Sequence, residues 1–553
     1  MKITFLAILY YTISSNSLTY GQNQTEFTVN QLKKLDSIAI QDVPKSAPGI
    51  ATGIVSNGKI IYEKVAGFAN LKDSTLITKD TRFNIASNGK QFTALTILIL
   101  AEEKKINLEE DFRKYIPTIL PNLKSKITIE NLLNHSSGIR DVYDLWSLQG
   151  LTWWKESFSN NDALQLIEKQ QELNFIPGTK YSYSNTNYIL LAIIVEKVTG
   201  KSFTEYTDNM FKNLNMPNTS FENNYTNIRE PIAKAYFNFT TWQTYDWKWN
   251  VCGDGNLFST LTDQLQWELI LQGCVNSKIK RKILDKSQQL TNNETIKNYG
   301  YGLEFGNYKG LNYNFHEGAT GAWKATVVRF PEKKIAVITL TNTGKCTPDT
   351  QTRQMADVVL GIKNDTSTFI TKPAKTGNFI NEDDIIGIYQ TESNFTFQFE
   401  KQDGILYLKR NGRNDVKLER EADNIWHQTY DPAFKQEFKV NNKEEMEVTA
   451  YYTSHEPYTL TKLNSNWTNF DFSALSGKYL NTETKVTIEI KFINNKNYDI
   501  KVGSKDSSKG LLISPTKLLV DNYILEIEET MNIPKVLLLQ SNRIQKVKFI
   551  RVE

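Results

Sequence analysis

Cysteine is scarce. Three residues, Cys252, Cys274 and Cys346, are too few for a disulfide scaffold, and the odd count leaves at least one thiol unpaired within the chain, with room for one bridge from Cys252 to Cys274. Histidine is scarce too, and His135, His316, His427 and His455 lie far apart with no paired spacing, so neither a metal site nor a cofactor is expected. Neither sign of charge dominates, with 65 Lys and Arg against 61 Asp and Glu, and no basic block is interleaved with aromatics. Nucleic acid is therefore not an expected partner. Long apolar runs are missing as well: the longest beyond the N-terminus, Leu95 to Ala101, falls far short of the ~20 residues that span a bilayer.

What is present begins with a leader. Lys2 supplies a positive start, Ile3 to Ile13 a mostly apolar run and Ser17 to Gly21 a small, polar stretch before Gln22. Residues 1–21 thus read as a cleavable signal, which places the mature protein in the periplasm or outside the cell, with no integral membrane segment after cleavage. The 553 residues exceed one ordinary core, so two or three domains are expected.

Two textures divide the remainder. Leu32, Leu35, Ile38 and Ala39 recur with helical period, and Gly49 to Val55 and Ile60 to Gly67 read as strands joined by Asn57-Gly58, a pair suited to the positive φ angles of a type I′ turn. Asn88 to about Lys104 is apolar on nearly every face, as in a helix buried all round. Polar helices follow, then strands at Trp323 to Phe330 and Ile335 to Thr341. Hairpins at both ends with helices between predict an α+β layer fold over residues 22–362. A polar linker over 363–380 leads to short alternating strands, and Gly387-Ile388-Tyr389 recurs as Gly477-Lys478-Tyr479. The expectation is two β-barrel-like modules, 381–465 and 466–553. A break near Gly361 is expected to leave the first domain able to fold alone.

Ser87-Asn88-Gly89-Lys90 sets a hydroxyl and an amine three residues apart at the first turn of the buried helix, where both can face one cleft. A serine hydroxyl needs a base, and a lysine serves if burial lowers its pKa. Tyr183-Ser184-Asn185 precedes a helix that stops at Gly200, and a tyrosine beside a lysine cation can lose its proton and act as a base. His316-Glu317-Gly318-Ala319 stands before the late hairpin, where an edge strand would line a cleft and the amide of Ala319 would oppose that of Ser87 across an oxyanion. His135, in a polar turn before Gly138, reads as structural, and Gly253-Asp254-Gly255 as a tight bend. Trp153-Trp154 and the aromatic run Trp242 to Trp249 suit either ligand binding or packing between subdomains.

The order of these pieces, Phe83 to Lys90, Leu132 to Gly138, Tyr183-Ser184-Asn185, and Tyr301-Gly302 ahead of His316-Glu317-Gly318, resembles the class C β-lactamase and penicillin-binding D-peptidase family over roughly Phe27 to Asn342. The resemblance implies an antiparallel sheet flanked by helices with a helical subdomain. It implies Ser87 as acylated nucleophile, Lys90 and Tyr183 as the proton-transfer pair, Asn185 as a hydrogen-bond partner, His316 in the third-motif position and Gly318 against the substrate. The chain has His316-Glu317-Gly318 where the family often has Lys-Thr-Gly, a departure similar to that of its esterase and D-aminopeptidase branches. A fixed lysine cation suits a substrate carboxylate, whereas a histidine is charged only part of the time near neutral pH. The C-terminal modules look like those appended to D-aminopeptidases. The expected activity is hydrolysis of a small-molecule or peptide substrate through an acyl-enzyme, with D-amino acid peptides or amides ahead of carboxylic esters and then β-lactams. The alternative is a catalytically silent relative serving as a binding or envelope-scaffold protein.

Overall fold

The computed structural model describes residues 27–151, 156–238, 241–362, 380–391, 394–409, 415–429, 432–452, 457–464, 472–494, 496–528 and 535–553. The expected leader, all of the linker but its last residue, and Trp153-Trp154 lie outside these residues.

Val29–Ile40 (α1) opens with a capping box in which Thr28 and Gln31 satisfy each other's free backbone amides. Strands Ile50–Ser56 (β1) and Lys59–Ala66 (β2) form the first hairpin, and Asn57 and Gly58 take φ angles of 48° and 73°, the sign that a type I′ turn requires. Glu304–Tyr308 (β3), Leu311–Thr320 (β4), Trp323–Phe330 (β5) and Ile335–Thr341 (β6) complete a six-stranded antiparallel sheet in the order β3-β4-β5-β6-β1-β2. Every residue of β1 and β6 is buried, because helices cover both faces of the sheet.

On one face α1 and Pro348–Leu360 (α6) set Leu35, Ile38, Met355 and Ala356 against Ile54, Val328 and Val337. On the other, Lys90–Glu102 (α2) and Leu261–Leu271 (α5) join Ala51, Val55, Val327 and Ile338 in the main core. Gly53 lets α5 approach β1, since a Cβ there would lie 3.0 Å from Leu265. Between the early and late strands, Val142–Leu148 (α3) and Asn185–Thr199 (α4) belong to a helical region. The polar character expected of that region fails for α4, which is buried from Asn185 to Val195 because apolar side chains pack against all its sides. Gly200, with φ of 69°, ends α4.

The C-terminal part consists of two closed eight-stranded antiparallel barrels, one from Gly387–Gln390 to Tyr458–Lys462 and the other from Gly477–Leu480 to Val547–Arg551. Closure removes the free edges that such short strands would otherwise expose. The repeat seen in the sequence has a structural basis. In each barrel a helical turn leads into the first strand, and the buried tyrosine hydroxyl donates back to that turn, Tyr389 to the Ile385 carbonyl at 2.9 Å and Tyr479 to the Leu475 carbonyl at 3.0 Å.

The second barrel is joined to the sheet-and-helix domain. Its interior belongs to the same apolar cluster as α2 and α4, and the loop 541–546 between its last two strands reaches the helical region. Buried Arg140 is the clasp: it donates to Gln170 and Glu483, both at 2.9 Å, and to the carbonyls of Gln545 at 3.2 Å and Lys546 at 3.1 Å. Part of the first domain's surface is thus covered by residues from the far end of the described chain. All three cysteines are free thiols, so the bridge allowed for Cys252 and Cys274 is not formed; one is buried in the main core and the other is exposed. Among the described residues no helix is long and apolar enough to cross a membrane.

Arg140→Ala removes all four bonds and leaves Glu483 without its cation. Urea unfolding of the full chain is expected to show a loss of about 3 kcal/mol, with the loop 541–546 becoming open to limited proteolysis.

Candidate active site

Between Thr81 and Leu98 every residue is buried except Ser87. The exposure comes from a sharp turn. Strand Phe83–Asn84 pairs with Leu257–Ser259, the Ile85 amide donates to the Leu257 carbonyl at 2.8 Å, and the chain then bends through Ala86 at a φ of 49°. Such a positive φ is costly for alanine and persists because its surroundings fix it; the Asn84 side chain accepts the Ala86 amide at 2.9 Å. Ser87 then lies in a short 3₁₀ turn, Ala86–Gly89, and α2 starts at Lys90. The pair thus straddles a turn and a helix instead of sharing the first helical turn, with Lys90 Nζ 3.0 Å from Ser87 Oγ.

Lys90 is fully buried, and its amine lies among three oxygens: Ser87 Oγ at 3.0 Å, Asn185 Oδ1 at 3.0 Å and the Asp254 carbonyl at 2.5 Å. Burial drives its pKa down to about 7, against the opposing pull of the Asp254 carboxylate. Near neutral pH much of the amine is unprotonated and can take a proton from Ser87. Asn185 is itself oriented, because Asp141 Oδ2 accepts both its backbone amide at 2.6 Å and its side-chain Nδ2 at 3.0 Å, leaving Oδ1 for lysine. Asp141 also caps α3, accepting the Tyr143 amide at 2.9 Å. The bend at Gly253-Asp254-Gly255 underlies the amine: Tyr143 donates to Asp254 Oδ2 at 2.6 Å, and Thr93 Oγ1 to the Gly253 carbonyl at 2.7 Å.

The Tyr183 ring centroid lies 4.9 Å from Lys90 Nζ, and its phenol is near enough to Ser87 for that hydroxyl to favour the phenolate. Burial pushes its phenol up, outweighing the help that Ser87 and the Arg543 cation give the phenolate. The free protein therefore holds a neutral phenol, which corrects the expectation of a tyrosine deprotonated by a lysine cation: the same dry surroundings that unload Lys90 keep Tyr183 protonated. His135 supports this ring. Its centroid is 4.3 Å from that of Tyr183, and Nδ1 accepts from the Ser184 amide at 3.2 Å, so the imidazole proton sits on Nε2.

The third motif is tied to the nucleophile turn. Asn88 Nδ2 donates to the His316 carbonyl at 3.2 Å, and a Cβ on Gly318 would fall 2.1 Å from the Ile85 carbonyl. Only glycine allows the strand that approach. β4 is the second strand of the sheet, yet β3 stops pairing at Phe315, so the segment from His316 onward forms a local edge and Ala319 is exposed. His316 does not titrate near neutrality as expected. Burial and the neighbouring Lys90 push it down to about 3; Nδ1–H donates to the Glu317 carbonyl at 2.7 Å and Nε2 accepts from Tyr299 at 3.0 Å. Glu317 points to the opposite face, as strand alternation requires, and pairs with Arg353 of α6 at 3.0 Å.

Ser87, Asn185 and Tyr183 are thus gathered around Lys90, while His316, Gly318 and Ala319 line the adjoining strand. In the aromatic run, Trp249 is buried beside Tyr143 and Trp146, which is packing. Among the described residues no group of three or more His, Cys, Asp and Glu is placed to hold a metal ion. Sequence reading missed Asp141, Tyr299 and Arg543. Only Asp141 carried a signal, as an aspartate heading a helix just after the Leu132–Gly138 motif.

A serine with a buried lysine base and a tyrosine, set between a helical region and an antiparallel sheet, defines a serine acyl-transfer class. The chain belongs to the β-lactamase family, whose model matches residues 37–360, a β-lactamase-fold family of serine hydrolases. It is 36% identical over 203 residues to "Protein flp" of Staphylococcus aureus (strain N315), covering 36% of this chain and only 40% of that protein. It is 25% identical over 317 residues to a D-aminopeptidase of Brucella anthropi, covering 55% of this chain and 58% of the relative. Its fold is similar to that of the octameric penicillin-binding protein homologue from Pyrococcus abyssi, with a TM-score of 0.56, 24% identity, and coverage of 78% of this chain and 100% of that one.

Below pH 7 Lys90 holds its proton and cannot accept another. The rate of Ser87 modification by a neutral activated phosphonate should accordingly rise about tenfold per pH unit on the acid side, level off above the Lys90 pKa of about 7, and show no separate histidine limb.

Proposed function

We propose that this protein is an exported serine hydrolase that works through an acyl-enzyme at Ser87 on small amides or esters, with D-amino acid peptides and amides ahead of carboxylic esters. The observation that carries the reading is the buried amine of Lys90, its pKa lowered to about 7, at 3.0 Å from Ser87 Oγ. A silent relative has no chemical need for a desolvated amine beside a serine hydroxyl that is only partly buried. The similarity to a D-aminopeptidase and the twin barrels support the order of substrates. The apolar run Ile3 to Ile13 after Lys2 supports export.

In this mechanism Lys90 takes the Ser87 proton as Oγ attacks the acyl carbon, and the backbone amides of Ser87 and Ala319 receive the oxyanion. Tyr183, the neutral phenol beside Lys90, gives a proton to the leaving nitrogen or oxygen and is restored by the Lys90 ammonium. Deacylation runs the same path in reverse, with water in place of the leaving group: Tyr183 and Lys90 take its proton and Ser87 regains its own.

Ser87→Ala is expected to abolish phosphonate labelling and lower turnover of D-aminoacyl amides by several orders of magnitude, read by adduct mass and chromogen release; labelling that persists at another serine overturns the assignment. Lys90→Ala and Tyr183→Phe should each be severe, and the double variant little worse than either, because the two groups handle one proton. Independent, multiplying losses in kcat/KM would separate their roles.

A further inference from the structure

The third motif brings no cation to the cleft. His316 is neutral, and Glu317 is turned away to Arg353. Lys90 is fully buried, enclosed by Ser87 Oγ, Asn185 Oδ1 and the Asp254 carbonyl. One guanidinium does reach the site, from another part of the chain. Arg543 lies in the loop 541–546 of the second barrel, half-buried, with its guanidinium carbon 5.2 Å from the centroid of the Tyr183 ring. Its charge is felt by Lys90, His135, Tyr181 and Tyr183.

The loop is pinned by its backbone, so this position is built. The Arg543 carbonyl accepts Asn174 Nδ2 at 2.9 Å and the Asp141 amide at 3.4 Å, and the Gln545 amide donates to Asn174 Oδ1 at 2.8 Å. The guanidinium itself makes no hydrogen bond or ion pair among the described residues. The two carboxylates nearest in charge are engaged elsewhere. Asp141 accepts the amides of Tyr143 and Asn185 together with Asn185 Nδ2, and Asp144, whose carboxyl is raised by burial and by Asp141, accepts Ser541 Oγ at 2.7 Å. Arginine stays charged at any working pH, and its planar fork of N–H donors fits a carboxylate in two parallel bonds.

We propose that Arg543, delivered by the second barrel, is the group that binds a carboxylate of the substrate beside Ser87. The inference rests on the hydrolase reading for the identity of the site, and it makes anionic acyl compounds the preferred substrates. The carboxylate lies either on the leaving side, as the free C-terminus of a short D-peptide, or on the acyl side, as in a dicarboxylic half-ester. The two present the same chemistry to a guanidinium.

The test compares matched pairs on the full chain: a D-aminoacyl-D-alanine against its C-terminal amide, and a succinyl ester against its methyl-capped analogue. In the wild-type protein the acid of one pair is preferred, and that pair tells which side carries the carboxylate. Arg543→Gln is expected to shrink the acid-to-neutral ratio of kcat/KM by about 10- to 100-fold, chiefly through KM, as loss of a charged hydrogen-bonded contact does; Arg543→Lys should restore part of it. Two results overturn the proposal. One is the absence of acid preference in both pairs, and the other is an equal loss on acid and neutral members with a displaced acid limb, which would make Arg543 a group that only tunes Lys90. Calorimetric binding of the same pairs to Ser87→Ala protein, with and without Arg543→Gln, reads the subsite without turnover. Absence of Ser87 labelling in the wild-type protein would sink the hydrolase reading separately.

Discussion

The amine of Lys90 has been taken out of water, and the site is arranged around the consequence. A buried ammonium without counter-charge is expensive, so the amine sheds its proton near neutral pH. It is not left bare, because Ser87, Asn185 and the Asp254 carbonyl surround it, and the Asp254 and Asp141 carboxylates keep its pKa from falling further. Asp141 orients Asn185, Thr93 and Tyr143 fix the bend at Asp254, and the turn at Ala86 lifts the serine hydroxyl out of an otherwise buried segment. Each of these is a condition for one side chain to be a base at neutral pH.

The same dryness sorts the neighbouring groups. It holds Tyr183 and Tyr299 as phenols and His316 and His135 as neutral imidazoles, so these four titratable side chains bring no charge to the cleft. Against such a background one fixed guanidinium counts for more than it would in water, since a low local dielectric strengthens whatever charge remains.

Much of this was legible along the chain. Asn57-Gly58 announces its turn through residues that tolerate positive φ, the all-apolar stretch after Lys90 announces a helix buried on every side, and Gly387-x-Tyr389 with its echo announces two like barrels. Ser87, Lys90, Tyr183 and Asn185 were legible because each belongs to a short local motif. Protonation states were not, because the pKa of Tyr183 or His316 depends on which distant segments exclude water from it. Arg543 was out of reach for a related reason: a lone arginine in a turn between strands has no periodicity or spacing to mark it, and only the docking of the barrel through Arg140 gives it a neighbour in Tyr183. The buried character of α4 was misjudged because its apolar residues cover all sides instead of forming one stripe.

The clasp at Arg140 bears on the order in which the molecule comes into being. Domains tend to fold as they emerge during synthesis, N-terminal parts first, and every residue that handles the proton lies upstream of both barrels. The nucleophile and its base can therefore be assembled while the guanidinium is still unmade. With Arg543 in the role proposed for it, the cleft acquires its cation only when the final strand pair closes, so chemical competence and the power to choose among acyl compounds would arise as two separate events in the life of one chain.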